Sequence, residues 1–77
     1  MIHLKVNLRR LKAERVASGY SQEEIAKQMG WKNRLSYTMR ENGKTKITAD
    51  ELVKLAGMYG YSKDELGIFF IEDTENK

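Results

Sequence analysis

At three places in this 77-residue chain where a helix could open, a Ser or Thr is followed three positions later by a Glu: Ser21 with Glu24, Thr48 with Glu51, and Ser62 with Glu65. In such a pair the hydroxyl accepts from the backbone N–H three residues on, while the carboxylate reaches back to the first residue's own N–H. Two of the donors that every helix start leaves unpaired are thereby satisfied. Three such boxes are hard to place in a strand-rich chain, so the spacing predicts helices opening at 21, 48 and 62. Asn7 and Asn33 can cap two more. Gly19, Gly30, Asn42-Gly43 and Gly60 stand where those helices would stop, because a helix commonly closes on a left-handed residue. Five helices with short connections, an all-α fold, is the expectation.

The apolar positions agree with that division. The first helix, from Asn7 to about Ser18, offers Leu8, Leu11 and Val16 among charged neighbours; the second has a narrow stripe of Ile25, Ala26 and Met29; the fourth has a broad one of Leu52, Val53, Leu55, Ala56 and Tyr59; the short fifth includes Leu66. Tyr20 precedes the Ser21 cap and is placed to pack on Ile25, four past the cap. In the third helix Tyr37 is the best core candidate, since Leu35 and Met39 lie on other faces. Trp31, the only tryptophan, reads as a core anchor fixing the angle between the second and third helices rather than as a base-stacking side chain.

One small core is what 77 residues can bury, and the chain reads as a single domain over 1–77, with its core about 7–68 and an acidic tail at 72–77. With no cysteine, neither disulfides nor thiolate metal sites can reinforce that core. No apolar run approaches the roughly 20 residues that span a membrane, and the N-terminal MIHLKVNLRR lacks a signal peptide's apolar region. A soluble, cytoplasmic protein is expected. Ile2, Leu4 and Val6 alternate with polar residues, and Ile68 to Ile71 is β-prone, so the two apolar ends are expected to pair as a small sheet, within a chain or across a dimer; alternatively Phe69 and Phe70 merely close the helical core.

The net charge of +3 hides an uneven distribution. Of 14 bases and 11 acids, one base and three acids lie in 72–77, leaving 13 against 8 in the rest. Within 32–46, Lys32, Arg34, Arg40, Lys44 and Lys46 are opposed only by Glu41. Such an excess suits a phosphate backbone. An enzyme is not expected: His3 is the one histidine, no nucleophile and base stand at motif spacing, and no glycine run could cradle a phosphate. The acid pairs Glu23-Glu24, Asp50-Glu51 and Asp64-Glu65 fall in first helical turns, where they complement the dipole. No metal, cofactor or small-molecule ligand is expected.

The run from Gly19 to Ala26, GYSQEEIA, followed by Met29-Gly30, by ENGK from Glu41 to Lys44 and by SKDEL from Ser62 to Leu66, resembles the phage repressor and Cro family of helix-turn-helix DNA-binding domains, of the xenobiotic-response-element type. The resemblance covers about residues 7 to 68. It implies a compact five-helix repressor-like domain, with the helix-turn-helix at the second and third helices. The third, about 33–41, would lie in the major groove of double-stranded DNA, and a homodimer would span two half-sites. Carried over by position, Asn33, Arg34, Thr38 and Met39 would face base edges, with Arg34 placed to bond guanine O6 and N7 together. Gln22, aided by backbone N–H groups at its helix end, would donate to a phosphate, and Lys32, Asn42, Lys44 and Lys46 would hold the backbone. Arg15 and Glu41 match a structural ion pair of the family.

Two departures from the family pattern stand out. Between Gly30 and Tyr37 there is one residue more than is commonest, so the turn is longer or the recognition helix starts later. Leu35 and Met39 occupy places where many relatives carry polar readers, which suits contact with thymine methyl groups or else a surface that grips protein. The implied function is a transcriptional regulator of the repressor kind. The alternative is a protein-binding module of the same fold, such as an antitoxin or a regulator acting through a protein partner.

Overall fold

The structure, a computed structural model, describes residues 3–73. Its elements run β1 (Leu4–Val6), α1 (Leu8–Ala17), α2 (Gln22–Gln28), α3 (Arg34–Glu41), α4 (Ala49–Met58), a 3-10 helix (Lys63–Phe69) and β2 (Phe70–Glu72). The five helices start where the caps stand in the sequence. Asn7 accepts from the Arg10 N–H at 3.1 Å, Ser21 from Glu24 at 3.0 Å, Asn33 from Leu35 at 3.0 Å and Thr48 from Glu51 at 3.1 Å. Glu24 and Glu51 reach back to the N–H of Ser21 and Thr48, closing both boxes. Glu65 likewise accepts from the Ser62 N–H at 2.8 Å, but its own N–H bonds the Ser62 carbonyl at 2.9 Å, as the tighter 3-10 winding requires.

Leu11, Ile25, Ala26, Tyr37, Leu52, Leu55, Ala56, Tyr59 and Phe69 are buried together in one core that draws on all five helices. Phe69 is wholly buried, so the core runs past residue 68. Val16 does not join it. That side chain is 59% exposed, because the inward positions of α1 are Leu11 and, four residues on, the charged Arg15. Val53 is also largely exposed. Tyr20 packs against the core with its ring centroid 6.3 Å from that of Tyr59.

The two ends of the chain pair within the molecule. β1 and β2 are antiparallel, with Leu4 opposite Glu72, Lys5 opposite Ile71 and Val6 opposite Phe70. The Asn7 N–H bonds the Phe69 carbonyl at 2.7 Å and the Asp73 N–H bonds the His3 carbonyl at 2.7 Å, extending the ladder at both ends. The sheet lies slightly C-terminal to the expected Ile68–Ile71 segment because Ile68 and Phe69 are taken up by the 3-10 helix. Glu72 and Asp73, expected in an acidic tail, are thus structured, with Asp73 3.9 Å from the Lys5 ammonium. Ile2 and residues 74–77 lie outside the described residues.

Candidate nucleic-acid interface

Helix α3 packs against α2, and its placement begins with the turn before it. α2 closes at Met29, Gly30 takes φ +81°, and Trp31, Lys32 and the cap Asn33 carry the chain to Arg34. α3 starts at Arg34, one residue inside the expected 33–41, with Asn33 as its cap. Trp31 is held there by two neighbours. Its ring is stacked on Tyr37 at 6.4 Å, and the Arg40 guanidinium lies 4.1 Å from its centroid.

Arg40 is therefore not a free cation of the basic segment. Its Nε and Nη2 donate to the two oxygens of Glu51 at 3.0 and 3.1 Å, and its Nη1 to the Ser36 carbonyl at 2.8 Å. Burial would raise the Glu51 carboxyl, but the Arg40 guanidinium and the Thr48 N–H outweigh it and hold the group below the usual carboxylate range. Because Glu51 also closes the α4 box, one carboxylate ties the end of α3 to the start of α4. Nothing in the sequence marks this partnership beyond the opposite charges.

The same end of α3 also rests on a buried polar hub. Glu41 has a side chain only 3% exposed, and its oxygens accept from Arg15 Nε at 2.9 Å, Arg15 Nη2 at 3.3 Å, the Tyr37 hydroxyl at 2.7 Å and Gln22 Nε2 at 2.7 Å. Those donors use the acceptor capacity of a carboxylate. Burial alone would push Glu41 up, yet hydrogen bonds from Arg15, Tyr37 and Gln22 keep it ionised and below its ordinary value. Arg15 is held protonated by the same contact and also donates from Nη1 to the Tyr20 carbonyl at 2.8 Å. The Tyr59 hydroxyl, 3.2 Å from that of Tyr37, is pushed up to about 12 chiefly by burial, so both phenols stay neutral. Among the described residues no buried side-chain nitrogen or oxygen lacks a partner.

The hub reaches the surface through Gln22. Its Nε2 donates to Glu41, and its Oε1 accepts from the Thr38 hydroxyl at 2.8 Å. Gln22 and Thr38, each half-buried, thus brace the front of α2 against α3. In this arrangement the Thr38 hydroxyl is engaged with Gln22, a contact the sequence did not disclose. Asn33 is exposed with its Oδ1 capping α3, leaving its amide NH₂ outward.

What remains on the outside of the α2–α3 unit is mostly cationic. Lys32, Arg34, Asn42, Lys44 and Lys46 are exposed, Met39 is half-buried, and the four cations among them make no ion pair within the described residues. The only acid within 32–46, Glu41, is turned inward to Arg15. No exposed acid within 32–46 offsets these cations, and although Glu23 of α2 lines the same surface pocket as Lys32 and Arg34, the net excess is positive, which suits a polyanion's phosphates. The described residues hold no group of three His, Cys, Asp or Glu side chains able to bind a metal, and no helix is long and apolar enough to cross a membrane.

A family model described as helix-turn-helix matches residues 11–66, from the buried Leu11 of α1 to Leu66 of the 3-10 helix. Neither a curated protein nor a solved structure matches the chain.

Proposed function

Because the chain belongs to the Cro/C1-type helix-turn-helix family, which is a DNA-binding family, we propose that it recognises specific double-stranded DNA as a transcriptional regulator of the repressor kind. α3 enters the major groove, with Arg34, Asn33, Thr38 and Met39 toward base edges. Gln22, Lys32, Asn42, Lys44 and Lys46 meet the phosphates on either side. The observation that carries this reading is the cluster of unpaired cations, Lys32, Arg34, Lys44 and Lys46, flanking a helix whose inner face is fixed by Tyr37 and Glu41. A helix so fixed presents its outer side chains in one orientation, which base readout requires.

The protein acts as a cytoplasmic homodimer in this reading, so that two copies of α3 meet successive major grooves. Selection of bound fragments from a random DNA pool tests both points. The expected product is a palindrome with half-sites about one helical turn apart, bound with an affinity that falls steeply as salt rises. Absence of binding to any fragment at low salt overturns the DNA reading and leaves the protein-binding alternative.

A further inference from the structure

Leu35 is the second residue of α3 and is 57% exposed, the only large apolar side chain of that helix left mainly in solvent. Two residues before the buried Tyr37, it points about 160° away from it around the helix, on the side opposite the core. Met39, four residues on and half-buried, lies along the same outer edge. The polar groups nearby are largely committed. The Thr38 hydroxyl bonds Gln22, Asn33 Oδ1 caps the helix, and Arg40 is held by Glu51. Around the start of α3 the exposed side chains are Lys32, Asn33, Arg34 and Leu35, of which Leu35 alone is apolar.

Resting on the reading that α3 enters the major groove, we propose that Leu35 is a specificity-determining residue that selects thymine by packing on its 5-methyl group. Thymine is the base that presents an apolar group in the major groove, and a leucine can neither donate nor accept a hydrogen bond there. Opposite any other base, Leu35 would desolvate polar edges without satisfying them. Its neighbour Arg34 would read a guanine close by, so each half-site would combine a guanine and a thymine within reach of adjacent residues. The exposed side chain then acquires a cause: it is buried only on the complex.

The test replaces each thymine of the selected site, one at a time, by deoxyuridine, which removes only the methyl group. For the wild-type protein one position per half-site should lose about fourfold in affinity, the value of burying one methyl-sized group. Leu35→Ala should bind the unmodified site more weakly and lose that sensitivity, with circular dichroism confirming the fold. Indifference of the wild type to every substitution, or an unchanged methyl effect in Leu35→Ala, overturns the role of Leu35 while leaving DNA binding intact. Failure to bind any DNA removes the parent reading instead.

Discussion

Gln22 donates its side-chain amide to Glu41 at 2.7 Å, tying the first residue of α2 to the last residue of α3. The same amide's oxygen accepts from Thr38, so the glutamine is held at both ends and the two helices cannot shear without breaking a charge-assisted bond. Since Arg15 of α1 and Tyr37 converge on the same carboxylate, the angle of α3 is set from within the core.

Removing the charge at the hub should cost stability more than a surface change would. Glu41→Gln leaves Arg15 without a counter-ion in a nearly closed site, and a loss of about 3 kcal/mol in urea unfolding at neutral pH is expected. The pH profile gives a second check. Glu41 and Glu51 are both held below their unfolded values, so their stabilisation is complete above the ordinary carboxylate value, ~4.3, declines below it, and is lost as pH falls through the depressed folded values. Glu41→Gln should flatten that acid decline, with Glu51 supplying what remains.

Arg40 and Lys44 are both basic residues of the same segment, but they should behave differently. Arg40→Ala loses the Glu51 fork and the Trp31 face, so thermal unfolding should show a loss of about 1–2 kcal/mol. Its DNA affinity should keep the wild-type salt dependence. Lys44→Ala should leave stability nearly unchanged while the log–log salt slope becomes shallower by about 0.9 per protomer. A shallower slope for Arg40→Ala would show that its guanidinium leaves Glu51 on binding.

Base reading and phosphate contact are separable at Arg34 and Lys46. Arg34→Ala should relax sequence preference at one position of the selected site by about 1–3 kcal/mol. Lys46→Ala should weaken binding to all sequences about equally. Competition between the selected site and scrambled duplexes measures both, and equal loss of discrimination from the two variants would contradict the assigned roles.

Gly43 ends α3 with φ +82°, and a Cβ built there would lie 3.1 Å from Leu8 Cδ1. Gly43→Ala therefore combines left-handed strain with crowding against α1, and should destabilise by about 1–2 kcal/mol. Denaturant unfolding checks this; a smaller effect would mean that Leu8 moves aside freely.

The helices and their limits were legible in the sequence because capping is local. Asn7, Ser21, Asn33 and Thr48 each bond a backbone N–H within three residues, so spacing alone identifies them. The helix-turn-helix placement was implied by the family resemblance, and Tyr37 as the buried residue of α3 by the faces on which that helix's apolar residues fall. Of the charge pairs, Arg15 with Glu41 came from the family resemblance and is present at 2.9 Å, whereas Arg40 with Glu51 was not legible. Arg40 finds Glu51 eleven positions away and Tyr59 meets Tyr37 across 22, while Val16, apolar in the sequence, faces solvent because Arg15 takes the inward position beside it.

The sequence by itself determined five helices, one core and an excess of positive charge over 32–46, since each depends on short-range bonding, periodicity or a count. The tertiary structure decided which of those charges face outward. Arg40 and Glu41 are taken inward by partners on other helices, and Lys32, Arg34, Lys44 and Lys46 are left unpaired. It also settled the terminal pairing within one chain and committed Thr38 to Gln22. The physical reason is the same in each case: a hydrogen bond or ion pair between distant residues forms only once packing has brought the donor and acceptor within about 3 Å, and no local pattern records which partner will be near.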